Sequence, residues 1–223
     1  MSSLSLPRAM NRRRGHRGAQ AVRHVAARVR AQLHKQEHIF VLEKDLGDIC
    51  VPVRRGVIRH EPVDRRHVPA LRELNRERGD KTGDARFAAD LAAGCHGMVG
   101  FVGEELVSCY WWADGSMPEH RDMRRLGLGI ELRDGDVYGF DFYVHKGYRA
   151  GGAAADILYQ VETALREQGF ERLWGYVVAD NRMARWMYDA RGYRARWMVV
   201  RTRILRRWRN RIAPIERREQ VSA

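Results

Sequence analysis

The stretch "VHKGYRAGGAAADIL", residues 144–158, joins a strand to a helix and decides the fold. Upstream, "VYGFDFYVH" is apolar and aromatic enough for a buried strand. Downstream, "AAADILYQVETALREQG" has apolar residues at 154, 157, 158, 161, 164 and 165 and stops at Gly169, which is helical spacing with a glycine stop. Between them lie Gly147, Arg149, Gly151 and Gly152. A helix start leaves backbone N–H groups without intrahelical partners and carries partial positive charge. Small residues let an anion approach those groups closely. The turn therefore reads either as close helix–sheet packing or as a cradle for a pyrophosphate. It lacks the GxGxxG dinucleotide fingerprint, and no GK[ST] follows as a Walker A loop requires.

Further along, "RLWGYVVA" predicts a strand, "NRMARWMYDARG" a short helix closed by Gly192, and "RARWMVVRTRIL" a last strand or hairpin half. Toward the N-terminus, "HGMVGFVGEELVSCYWWAD" predicts a hairpin turning at Gly103-Glu104-Glu105. "DARFAADLAAG" predicts a helix opened by Asp84 and closed by Gly94, and "RRHVPALRELNRE" another helix. "GVIRHEPVD" predicts a strand, and "HIFVLEKDL" with "DICVPV" two short strands in a preliminary hairpin. Residues 113–136 read as a polar loop with one helical turn. The expected fold class is α/β (α+β): a mixed, mostly antiparallel central sheet flanked by helices on both faces.

The net charge of +13 over 223 residues is unevenly spread. Residues 1–36 contribute +9, residues 201–223 contribute +6, and the rest sums to −2. The basic character belongs to the ends. Residues 1–36 read as a basic arm and amphipathic helix ("AQAVRHVAARVRAQLHKQ", 19–36), residues 37–205 as the folded domain, and 206–223 as a basic tail. That helix packs on the body or docks to an acidic protein or an anionic membrane surface. Three cysteines without CxxC spacing, and histidines without ligand spacing, point to neither disulfides nor a metal. Without an apolar run of about 18 residues or a secretory signal, a cytoplasmic location is expected, peripheral to the membrane if the arm docks there.

Twenty-nine residues after Gly152 comes "NRMARWMYDARGY". Arg149-x-x-Gly152-x-Ala154 after a strand, then Asn181, Ala184, Tyr188, Gly192 and Tyr193, together resemble the GNAT superfamily of acyl-CoA-dependent N-acyltransferases. The resemblance covers roughly 56–205 and is strongest over 137–200. It implies that the backbone of Phe142, Tyr143 and Val144 pairs with the pantetheine arm of acetyl-CoA or a longer acyl-CoA. It implies that the N–H groups of Arg149, Ala150, Gly151, Gly152, Ala153 and Ala154 hold the pyrophosphate. Asn181 would bond the pantetheine, and Tyr188 would protonate the leaving thiolate. Ala150, Ala153 and Ala154 depart from the glycine or bulky aliphatic residue of many relatives, so close approach rests on Gly151 and Gly152.

The acceptor amine must lose a proton, and Asp141 on the strand and His145 at its end are the candidate bases. Alternation places Asp141, Tyr143 and His145 on one face. Trp111 and Trp112, beside Tyr110, either line an apolar acceptor pocket or belong to the sheet core. The expected function is transfer of an acyl group from acyl-CoA to a small-molecule or peptide amine. Two alternatives stand beside it: a carrier-protein donor or a peptide or lipid acceptor, and a non-catalytic module whose basic ends bind nucleic acid or membrane. Nucleic acid is the less expected partner because the body is near neutral. A homodimer is also admitted.

Overall fold

Ile39, Phe40, Val41 and Leu42 are all buried, so this stretch turns apolar residues to both sides. Such a strand belongs in the middle of a sheet. In the computed structural model, which describes residues 34–52, 58–79, 86–117, 120–204 and 207–215, it lies in β1 (His34–Asp45). Its neighbours are β6 (Arg172–Val178) and β7 (Arg194–Ile204), both antiparallel. The expected hairpin between this strand and 48–53 does not form, since residues 49–52 have no regular structure. The local pattern shows a strand but not its distant partners. Residues 34–36, which the sequence places at the end of the basic helix, are strand and pair with Thr202–Ile204. The remainder of that arm lies outside the described residues.

Among the described residues the sheet has eight strands in the order β2-β3-β4-β5-β6-β1-β7-β8. The others are β2 (Arg59–Pro62), β3 (His96–Val102), β4 (Glu105–Asp114), β5 (Asp136–Val144) and β8 (Arg207–Ala213). Among the described strands only β5 and β6 are parallel, so the mixed, mostly antiparallel sheet is as expected. The sheet runs past residue 205, where the sequence puts the domain limit: β8 pairs with β7 along Met198–Ile204. Arginines at 207, 209 and 211 give this segment the look of a tail. They instead make a charged edge strand, which discourages edge-to-edge association.

Helices cover both faces. Leu71 and Leu74 of α1 (Val68–Glu77), Phe87 of α2 (Arg86–Ala92), and Met123 and Leu126 of α3 (Arg121–Leu126) pack into one core with Trp111, Tyr138 and Phe140. Ile157, Leu158, Val161 and Leu165 of α4 (Ala153–Glu167) and Tyr188 of α5 (Arg182–Ala190) pack into the other, with Tyr110, Phe142 and Val144. Asp84, the expected start of α2, lies outside the described residues. Among the described residues no helix is long and apolar enough to cross a membrane.

Two irregularities in β5 open the sheet locally. The strand pairs with β6 only over 136–138, opposite Arg172–Trp174, and from Gly139 and Gly175 onward the two parallel strands part. On its other edge β5 carries a bulge against β4, where the register shifts between Cys109 and Trp111. Asp141 sits at this bulge with φ +47°, the one non-glycine residue in the left-handed region among the described residues. The extra residue turns both Phe140 and Asp141 toward the α1–α3 face, and Phe142 toward α4 and α5.

Candidate active site

The gap between β5 and β6 is a cavity of about 690 Å3. Its walls are the parted strands, Gly139–Phe142 and Gly175–Val178. One end is lined by Arg78, Arg86, Arg121, Asp122 and Arg125, from the α1–α3 face. The other is lined by Leu42, Asn181, Ala184, Tyr188 and Tyr193, mostly from α5 and its two flanking turns. Side chains from both faces line one space, so the cavity passes through the sheet. Two reactants can thus enter from opposite sides and meet at the splay.

Tyr188 is buried against Tyr193 and Phe142, with ring centroids 4.8 and 6.4 Å away. Burial, with smaller contributions from Tyr176 and Glu162, pushes its phenol above the usual range. It therefore holds its proton at neutral pH, as a general acid must. Its helix is braced from behind. Arg191 donates to Glu162 at 2.6 and 3.4 Å, a pair almost wholly removed from water. The buried Lys44 ammonium donates to the Arg191 carbonyl at 2.8 Å. Asn181 lines the cavity and also caps α5, its side-chain oxygen accepting from Ala184 N at 3.2 Å.

The turn after β5 is a 3-10 segment, Lys146–Gly151, ending at Gly152 with φ +83°. Among the described residues no side chain caps the start of α4, which leaves its first N–H groups available to a ligand. Arg149 folds back, its Nε donating to the Val144 carbonyl at 2.9 Å and its guanidinium lying over the Tyr143 ring. Phe142, Tyr143 and Val144 lead from the splay to this turn. Tyr143 and Val144 face β4 through Cys109 and Ser108, and no pairing with β6 extends beyond residue 138 among the described residues.

The remaining candidate side chains fall in different places. Asp141 lines the cavity, but its two oxygens are held by Arg78 at 2.5 Å and Arg86 at 2.6 Å. His145 does share the α1 face with Asp141 and Tyr143, but it bonds Glu77 at 3.1 Å and does not line the cavity. Trp111 and Trp112 are core residues on opposite faces, stacked on Phe87 and His96. Tyr110 lines the cavity instead, its hydroxyl over Gly139, where a β-carbon would overlap it.

The cavity arginines are not among the residues that the sequence singles out, because in the sequence they look like surface charge. Their common signal is that 78, 86, 121 and 125 all flank segments whose apolar faces pack on one side of the sheet. Behind them, Asp90, Cys95 and His120 lie close together and buried. They fit a metal ion poorly. His120 Nδ1 accepts from Asp122 N at 3.3 Å, which leaves the imidazole proton on Nε2. Asp90 is paired with Arg121 at 2.9 Å, and burial pushes the Cys95 thiol up to about 12.

A sequence model of the acetyltransferase (GNAT) family matches residues 71–193, just over half of the chain. The chain belongs to this GNAT family. Members of the family use acetyl-CoA as co-substrate, and the splay and the uncapped N–H groups of the α4 turn fit such a ligand. No curated protein sequence matches the chain. Among solved structures, it is similar to a GCN5-related N-acetyltransferase from Sphaerobacter thermophilus, with 15% identity, TM-score 0.57, and 86% of this chain and 57% of that one covered. A GNAT-family protein from Novosphingobium aromaticivorans gives 15% identity and TM-score 0.51 over 75% of this chain and 64% of that one. The glucosamine N-acetyltransferase region of a fungal multidomain β-N-acetylglucosaminidase gives 14% identity and TM-score 0.55, over 78% and 22%. The chain thus spans less than two thirds of the length of these structures, and at such identity the likeness concerns the fold.

Proposed function

We propose that this GNAT chain is an N-acyltransferase that moves an acetyl or longer acyl group from acyl-CoA to a primary amine. The observation that carries this reading is the through-sheet cavity, with an uncapped helix start at one side and Tyr188 in its wall. The pyrophosphate would rest on the N–H groups of residues 149–154, and the pantetheine along the open edge of Phe142–Val144. An N–H of that edge would donate to the thioester oxygen as charge develops there. Asn181 would bond the pantetheine amide.

The neutral amine attacks the thioester carbon, and a tetrahedral centre forms. The C–S bond breaks, and the Tyr188 hydroxyl gives its proton to the departing thiolate. The proton released from the attacking nitrogen passes to water in the open cavity and restores Tyr188. Asp141 holds Arg78 and Arg86 in the cavity wall in this scheme. A second cavity of about 360 Å3 shares Leu42, Val177, Tyr188 and Tyr193 with the first and reaches Phe40 and Ile215. It gives room for acyl chains longer than acetyl.

The test is Tyr188→Phe, with thiol release as the readout. The proposal expects kcat to fall by about 10²-fold or more, with coenzyme A affinity within about twofold. Unchanged turnover would remove Tyr188 from the mechanism.

A further inference from the structure

Two features on the α5 side of the sheet have no part in the acyl-transfer scheme. The first is on α5 itself. Met183 and Trp186 stand one turn apart, on the side of the helix away from Ala184 and Tyr188. They are 76% and 60% exposed. Side chains of this size on an amphipathic helix normally face the core.

The second is on β8. Arg207, Arg209 and Arg211 alternate along the strand and so share one side of the sheet. That side is the one α5 covers. Arg211 pairs with Val200, and Met198, two residues along β7, packs in the α4–α5 core. The intervening Asn210 and Ile212 turn the other way, against Gly127 and Gly129. All three arginines are exposed, and none has a carboxylate partner among the described residues. Ile204, 38% exposed, lies on the same side beside Arg207. α5 rests over β1, where the Arg185 guanidinium is 4.6 Å from the centre of the Phe40 ring. β8 is two strands from β1, about 10 Å away. The apolar ridge and the arginine row are therefore neighbours on one face.

The plain alternative is a charged edge strand and nothing more. Edge protection needs charge on the strand, but it does not need all of it on one side. Nor does it explain a methionine and a tryptophan in water nearby. A nucleic acid would match the arginines and leave Met183 without a role. A second copy of the chain would match the ridge but would have to desolvate guanidiniums that have no counterion.

We infer that this face docks on an anionic lipid bilayer. The Trp186 indole and the Met183 side chain enter the headgroup–acyl boundary, and Arg207, Arg209 and Arg211 meet lipid phosphates. Residues 1–33 add eight arginines and no acid directly ahead of β1, and β1 starts opposite Ile204. The face adjoins the cavity, because Val178 and Asn181 line it just ahead of α5.

The test is co-sedimentation of the full chain with vesicles of phosphatidylcholine, alone or mixed in equal parts with phosphatidylglycerol. The mixed vesicles should bind about tenfold tighter or more, and added salt should weaken them. Met183→Ser with Trp186→Ser should weaken binding about tenfold or more. Arg207→Gln, Arg209→Gln and Arg211→Gln should each weaken it about fivefold. Lipids brominated in their tails should quench the wild-type tryptophan fluorescence and quench Trp186→Phe less. All five positions are exposed, and circular-dichroism melts of the variants should match the wild type. No preference for the anionic vesicles, or binding that survives both sets of substitutions, would overturn the inference. So would tighter binding to single-stranded DNA than to the mixed vesicles, or a concentration-dependent dimer that the serine variant abolishes. None of these readouts needs turnover, so failure here leaves the acyltransferase reading standing.

Discussion

Glu162→Gln removes one charge from a pair that has almost no access to water: Glu162 is fully buried and Arg191 is 5% exposed. The pair is bidentate, at 2.6 and 3.4 Å. Glutamine keeps the shape and one acceptor but leaves the Arg191 cation unneutralised in the α4–α5 core. Breaking a buried pair from one side costs about 3–5 kcal/mol. For a chain of this size each kcal/mol lowers Tm by about 2–4 °C, so a fall of roughly 6–20 °C is expected. The double variant Glu162→Leu with Arg191→Met removes both charges and should recover most of that loss, because well-packed apolar replacements of a buried pair are often neutral. Thermal melts monitored by circular dichroism and by tryptophan fluorescence give both values. A Glu162→Gln variant within about 1 kcal/mol of the wild type, or a double variant as unstable as the two singles summed, would refute the reasoning. Arg191 lies one turn beyond Tyr188. Glu162→Gln should therefore also lower kcat well below the folding temperature.

The same geometry sets further outcomes. Gly152→Ala puts a β-carbon at φ +83° beside the α4 N-terminus; it should cost about 1–2 kcal/mol and weaken coenzyme A binding in calorimetry at least tenfold. Asn181→Ala removes the α5 cap, costing about 1 kcal/mol in urea denaturation, and should raise KM for acyl-CoA. Tyr193→Ala should open the wall shared by the two cavities and shift chain-length preference toward longer acyl-CoA donors in competition assays.

The pH dependence of stability has two opposing parts. Burial lowers His120 to about 4, so its contribution is complete above its unfolded value of 6.5 and is lost as pH falls toward 4. Burial raises Asp90 to about 6 from 3.8, so its contribution is complete at low pH and is lost as pH rises through 6. Between pH 4 and 6 the two nearly cancel. Asp90→Asn leaves His120 alone. Its urea midpoint should fall more between pH 6.5 and 4.5 than that of the wild type, and equal slopes would contradict the assignment.

The parts legible in the sequence are those where local pattern and function coincide. Strand β5, the glycine turn, α4, the Asn181 cap and Tyr188 lie in two continuous stretches whose spacing survives folding. β1 announces itself as a strand, but its place between β6 and β7 depends on partners at least 127 residues away. The bulge at Asp141 has no local signature, and it decides that Phe140 and Asp141 face the same side. Asp141 is readable as an acid in the site. Its clamp by Arg78 and Arg86 is not, because those arginines come from other elements. Trp111 and Trp112 are open in the sequence between pocket and core; adjacent aromatics on a strand face opposite sides, and both sides here are core.

The central claim is that the acyl thioester lies in the splay between β5 and β6. A crystal structure with coenzyme A or a non-hydrolysable acetyl-CoA analogue tests it most directly. The claim predicts the pyrophosphate on the N–H groups of residues 149–154, and the sulfur between Phe142 and Val177, within hydrogen-bonding reach of the Tyr188 hydroxyl. Coenzyme A bound elsewhere on the surface, or a thioester more than about one water's breadth from Tyr188, would contradict it.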